Sequence, residues 1–166
     1  MIERVYLYDL EIVEIEGEFK EIKRNAEVLP CMLTNHALYV GKRDGLLETS
    51  LTSELYNIIK VFQGLGVNPK NIKEEDIVKF GEEAYKGIIE VTDEDKIARV
   101  IYLGLIGANP QLSYSLEDFI LKYHDGMEEK VETYMNLINS LASRDNQFKA
   151  EFEKKTSQRR EKGEKK

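Results

Sequence analysis

The sequence predicts a mainly α fold, a compact helical domain of five or six helices behind a short N-terminal β-hairpin. Three observations predict it. Apolar and polar residues alternate on either side of Gly17, as in strands. From Leu33 onward the apolar residues fall at helical spacing, punctuated by capping residues, glycines and Pro110. From Met127 to Phe152 they are spaced 4, 3, 4, 3, 4, 3, 4, with the one acidic break at Asp145.

The hairpin is assigned to residues 1–28. Val5 and Leu7 alternate with Tyr6 and Tyr8, Ile12, Val13 and Ile15 run into Glu16-Gly17-Glu18, and Phe19 and Ile22 follow the turn. An isolated hairpin is marginal in water, so it must pack on the body or pair with another chain, and its edge is a candidate contact between copies. Pro30 is expected to end it.

The helical body is assigned to residues 31–148. Leu33, Ala37, Leu38 and Val40 start it, with a break over Gly41 to Gly45. Thr49 to Ser53 offer N-caps for a second helix carrying Leu55, Ile58, Ile59 and Phe62 on one stripe, stopped by Gly64 and Gly66. Asn71 to Glu74 has capping-box spacing, and Ile77, Phe80, Ala84, Tyr85, Ile88 and Ile89 follow on one face. Thr92-Asp93-Glu94-Asp95 is an acid-rich start suited to the helix dipole. The helix behind it, with Ile97, Val100, Ile101, Leu103, Leu105 and Ile106, is apolar on more than one face and should be the most buried. Gly104 and Gly107 should let two helices approach closely. Ser115 then opens a short helix with Asp118 three residues on and Phe119, Ile120 and Tyr123 buried, and the last helix begins near Gly126.

Residues 149–166, KAEFEKKTSQRREKGEKK, hold eight basic and four acidic residues, so this segment is +4 while the whole chain is −7 and residues 1–148 are −11. With no large apolar residue after Phe152, it cannot offset its ordering entropy and reads as a charged, disordered tail. The acidic body and the four glutamates in the tail argue against nucleic acid as a partner. One cysteine, Cys31, excludes an internal disulfide and fits a reducing compartment. No apolar run approaches a membrane span and the acidic N-terminal stretch lacks the pattern of a signal peptide, so a cytoplasmic protein without a membrane partner is expected.

The sequence offers little chemistry. His36 and His124 have no second ligand at metal spacing, and the carboxylate runs 74–76, 82–83 and 93–95 lack a calcium-loop pattern. Gly64-Leu65-Gly66 and Gly104 to Gly107 lack the strand-to-helix setting and the Lys-Ser/Thr of a phosphate loop. No catalytic or metal-binding residue and no cofactor is assigned. An enzyme reading would have to rest on Tyr123, His124 and Asp125.

The stretch from about Asp95 to Leu141 has an Ile/Leu-rich helix ending in Ala108-Asn109-Pro110-Gln111-Leu112, a Ser115-Leu116-Glu117-Asp118-Phe119 helix start, and a long final helix. In this order of elements, and in its length, the chain resembles the tail assembly chaperones of long-tailed phages and prophages of Gram-positive bacteria. The resemblance implies a non-enzymatic protein of the host cytoplasm, absent from the mature virion. It would bind the helical tape measure protein until the tail tube polymerises around it. It also implies a longer, frameshifted form that recruits the tail tube subunit, and self-association along the partner. A helix-binding chaperone needs an apolar stripe, and Tyr134, Ile138, Leu141, Phe148 and Phe152 on the final seam are the partner-binding candidates. The alternative is a helical adaptor or regulatory protein linked to nucleic acid through its basic tail.

Overall fold

The computed structural model describes residues 2–48, 50–51, 57, 60–61, 64, 83, 86–90, 92–141 and 143–144. The stripe of Leu55 to Phe62, the capping box at Asn71, the residues Ile77 to Tyr85 and the tail lie outside the described residues.

The hairpin lies where residues 1–28 place it and runs on three residues, to Cys31. β1 runs Glu3–Ile15 and β2 runs Glu18–Cys31, 13 and 14 residues paired antiparallel in a two-stranded sheet. With so much strand beside its helices, the protein is an α+β fold, and the mainly α class is corrected. The chain turns at Glu16 and Gly17, both at positive φ (55° and 82°), the combination whose twist matches that of the flanking strands. Midway the register slips, from Leu7 opposite Glu27 to Asp9 opposite Arg24, so that Tyr8 faces two residues, Asn25 and Ala26. Asn25 takes this bulge at φ 48° and ties it to β1 by donating from Nδ2 to Asp9 Oδ2 (2.7 Å). Pro30 does not end the hairpin: it sits in β2 opposite Arg4. In a two-stranded ribbon each strand has an open edge, so its missing N–H costs no interior ladder bond.

Three helices and a long final run follow the hairpin, beside further helical residues between 51 and 90. α1 spans Asn35–Arg43, its N-cap Thr34 Oγ1 accepting from Ala37 N–H (3.2 Å). α2 spans Glu94–Ala108 behind the cap Asp93 and, as its two-sided apolar pattern requires, is buried at Ile97, Val100, Ile101, Leu103 and Leu105. α3 spans Leu116–Lys122 and starts with a full Ser115/Asp118 capping box. α4 is the helical run 127–141, which buries Val131, Tyr134, Met135, Leu137 and Ile138. Helical residues 86–90 add Ile88 to the core while Ile89 faces solvent.

The two glycines of α2 admit a strand end as well as α1. Met32 N–H donates to Gly104 C=O (2.8 Å), and Cys31 Sγ–H to Ile101 C=O (3.3 Å). A Cβ on Gly104 would stand 2.6 Å from Cys31 Sγ, and one on Gly107 would stand 2.5 Å from Met32 O and 2.9 Å from Ala37 Cβ. The base of the hairpin is therefore seated on the central helix where that helix has no side chains. Burial pushes the Cys31 thiol up to about 12, so it packs as a small apolar group.

The Ser115 cap gives a first prediction. Ser115 Oγ accepts from Asp118 N–H (3.0 Å), and Asp118 Oδ2 accepts in return from Ser115 N–H (2.9 Å). Ser115→Ala removes one half of the box and should cost about 0.5–2 kcal/mol, read as a shifted midpoint with unchanged m-value in urea.

Candidate functional site

The hairpin has two halves with different surroundings. Its base is embedded: Val5, Leu7 and Cys31 are buried with the helical core. Lys122, at the end of α3, ion-pairs with Asp9 (2.6 Å). That contact and the Asn25 amide hold the Asp9 carboxyl below the usual range. The Tyr114 hydroxyl donates to Glu27, and Asn109 Nδ2 donates to Pro30 C=O (2.8 Å). Near the bulge the Tyr8 ring lies against His124 (centroids 4.9 Å), and Lys23 Nζ sits 4.4 Å from the centroid of the same Tyr8 ring.

Beyond Asp9 the ribbon projects as an arm. Strand rise gives residues 10–15 a length of about 20 Å. Every residue from Leu10 to Ala26 is exposed except Val13 and Ile22, which are half-buried. Directly opposed residues project to the same face of a ribbon. The pairs Leu10–Lys23, Ile12–Glu21 and Glu14–Phe19 therefore share one face, and Glu11–Ile22 and Val13–Lys20 share the other. The Arg24–Glu11 ion pair (2.8 Å) on the second face and the Lys23–Tyr8 contact on the first agree with this division. The first face carries large apolar side chains in water, with Ile12 65 % and Phe19 78 % exposed and Leu10 at the border of exposure. Burying such a side chain is worth about 1.5–3 kcal/mol, so this face is the strongest candidate for a protein contact among the described residues.

The partner-binding residues read from the sequence fall elsewhere. Tyr134 and Ile138 are fully buried in the chain's own core, and Leu141 is half-buried against it. The seam of the final helix thus faces inward over 127–141. Phe148 and Phe152 lie outside the described residues. Ile120, expected in the core, is exposed together with Leu121, because α3 turns Leu116, Phe119 and the following Tyr123 inward. The arm's apolar face had a weak signal in the sequence. Leu10 and Ile12 stand on one face and Val13 and Ile15 on the other, so alternation alone did not say which was covered.

Tyr123, His124 and Asp125 are consecutive residues in the segment after α3. Burial raises the Tyr123 hydroxyl and the Asp125 carboxyl above their ordinary ranges. The His124 ring between them lies against Tyr8. A surface cavity of about 250 Å³ lies elsewhere, lined by Leu46, Glu48, Asp93, Asp95, Lys96 and Arg99. Among the described residues no group of three or more His, Cys, Asp or Glu is placed to hold a metal ion, and no helix is long and apolar enough to cross a membrane. No family model, curated protein or solved structure matches the chain.

Proposed function

We propose that this chain is a non-enzymatic phage tail assembly chaperone. It binds the helical tape measure protein in the bacterial host cytoplasm and keeps it soluble until the tail tube polymerises around it. A longer, frameshifted product then recruits the tail tube subunit. The observation that carries the reading is the apolar face of the arm, with Ile12 and Phe19 exposed to water. Such a surface suits a protein that works by contact with other chains. The order of elements from Asp95 to Leu141 supports the same reading through its resemblance to that family. Among the described residues, the buried state of Tyr134 and Ile138 leaves Leu141 as the partly accessible member of the proposed seam. Capture of a helix is therefore assigned to Phe148 and Phe152, in the charged segment after the body.

The test is co-expression of the full chain with a long helical tape measure protein, followed by measurement of the tape measure protein in the soluble fraction. The wild-type chain should bring it into solution as a complex. Phe148→Asp with Phe152→Asp should abolish capture at an unchanged thermal midpoint. A tape measure protein that stays insoluble beside the wild-type chain would remove the chaperone reading, and unimpaired capture by the double variant would remove those two residues from the site.

A further inference from the structure

We infer that the exposed face of the arm is a self-complementary contact, which pairs face to face and antiparallel with the same face of a second copy of this chain.

The charges on that face select the occupant. Along the ribbon from base to tip, the face presents the pair Leu10–Lys23, then Ile12–Glu21, then Glu14–Phe19. Its basic group lies toward the body and its two carboxylates toward the tip. A surface with opposite charges at its two ends complements itself when one copy is reversed against the other. Placing the two-fold axis across the strands at the Glu11–Ile22 pair sets Leu10 of one copy opposite Ile12 of the other. On the second strand it sets Lys23 opposite Glu21. The same operation carries Glu14 of one copy over Tyr8 of the other, where the Lys23 ammonium already sits 4.4 Å from the ring centroid. Each Lys23 thus meets two carboxylates of the second chain, while Leu10 meets Ile12 and Phe19 comes to lie over the bulge at Asn25 and Ala26.

The other two-fold arrangement, with the strands parallel, fails on the same residues. It would put Leu10 against Lys23 and Ile12 against Glu21, burying charges on hydrocarbon without a counter-charge. Pairing edge to edge would leave Ile12 and Phe19 in water. The antiparallel stack covers Leu10 and Ile12 with each other and pairs the charges, and its isologous geometry closes as a dimer. The arm offers a small contact, at the weak end of interface sizes, so the dimer should be reversible rather than permanent.

Sedimentation velocity of the full chain across a concentration series tests this without any tape measure protein, so its failure is separate from failure of the chaperone reading. The wild-type chain should show a reversible monomer–dimer equilibrium. Lys23→Glu should raise the dimer dissociation constant at least about tenfold, because it sets three carboxylates against three. Glu14→Lys with Glu21→Lys should do the same with three ammonium groups. Mixing the two variants should restore association as a heterodimer, since each then carries the complement of the other. All three side chains are exposed, so the far-ultraviolet circular dichroism of each variant should be unchanged. A wild-type chain that is monomeric throughout, variants that associate as the wild type does, or a mixture that stays monomeric would each overturn the proposal. A monomer that binds only a foreign helical protein would overturn it too, and would give the arm to that partner.

Discussion

Phe119→Ala is expected to destabilise the protein by about 3–5 kcal/mol, among the largest costs of any single truncation in the described core. The Phe119 ring is fully buried, stacked on Tyr123 (centroids 4.8 Å, 24° between planes) and tilted against Tyr102 (5.7 Å). Removing it leaves a cavity between two rings that cannot both close on it, so the lost transfer energy is augmented by lost packing. A second consequence follows from the size of α3. Seven residues are too few for a stable isolated helix, so α3 depends on its cap and on Phe119 for its position. Its loosening would release Lys122 from Asp9 and free the base of the arm. In thermal unfolding the midpoint should fall by about 2–4 °C for each kcal/mol in a domain of this size. Amide exchange should rise in residues 5–9 as well as in α3. A loss below about 1 kcal/mol would mean that Phe119 does not occupy the core as described.

Ile138→Ala is expected to cost about 2–5 kcal/mol and to leave any capture of a helical partner intact at temperatures where the variant is folded. Ile138 lies on the seam that reads as a partner-binding stripe, yet it is 1 % exposed and belongs to the chain's own core, as do Tyr134, Met135 and Leu137. A residue already covered by its own chain contributes to stability before any partner arrives. Urea unfolding of the variant beside a capture assay separates the two roles. Unchanged stability with lost capture would return the seam of α4 to the partner.

Heptad spacing does not distinguish these outcomes, because it states only that one side of a helix is apolar. The same spacing serves a helix packed on its own body and one waiting for another chain. The second strand posed the same problem. Read from the sequence, the hairpin ends at residue 28 with Pro30 as the stop, yet a proline is excluded only from strands with neighbours on both sides. Nothing local to Pro30 reveals that the sheet has two strands. The exposure of Ile120 has a similar origin. α3 is a single short stretch, and its inward direction is set by where Tyr102 and Tyr123 hold Phe119. Sequence spacing does locate Ser115 and Asp118 as a cap, Asp93 as a helix start and Glu16-Gly17 as a turn. Each of these is a contact within a few residues of chain.

By itself, then, the sequence determined the local devices of this protein: where helices begin, where the hairpin turns, and that the helix at 94–108 is surrounded. These follow from hydrogen bonds and backbone preferences between near neighbours, which the spacing of residue types records directly. The tertiary structure decided the class, by forming strands of 13 and 14 residues and seating their base on Gly104 and Gly107. It also decided which apolar faces are covered, turning the seam of α4 inward and leaving Ile12 and Phe19 in water. Burial is a property of residues far apart in sequence. Alternation and heptads give the faces of an element, and only its packing partners determine which face remains for another chain.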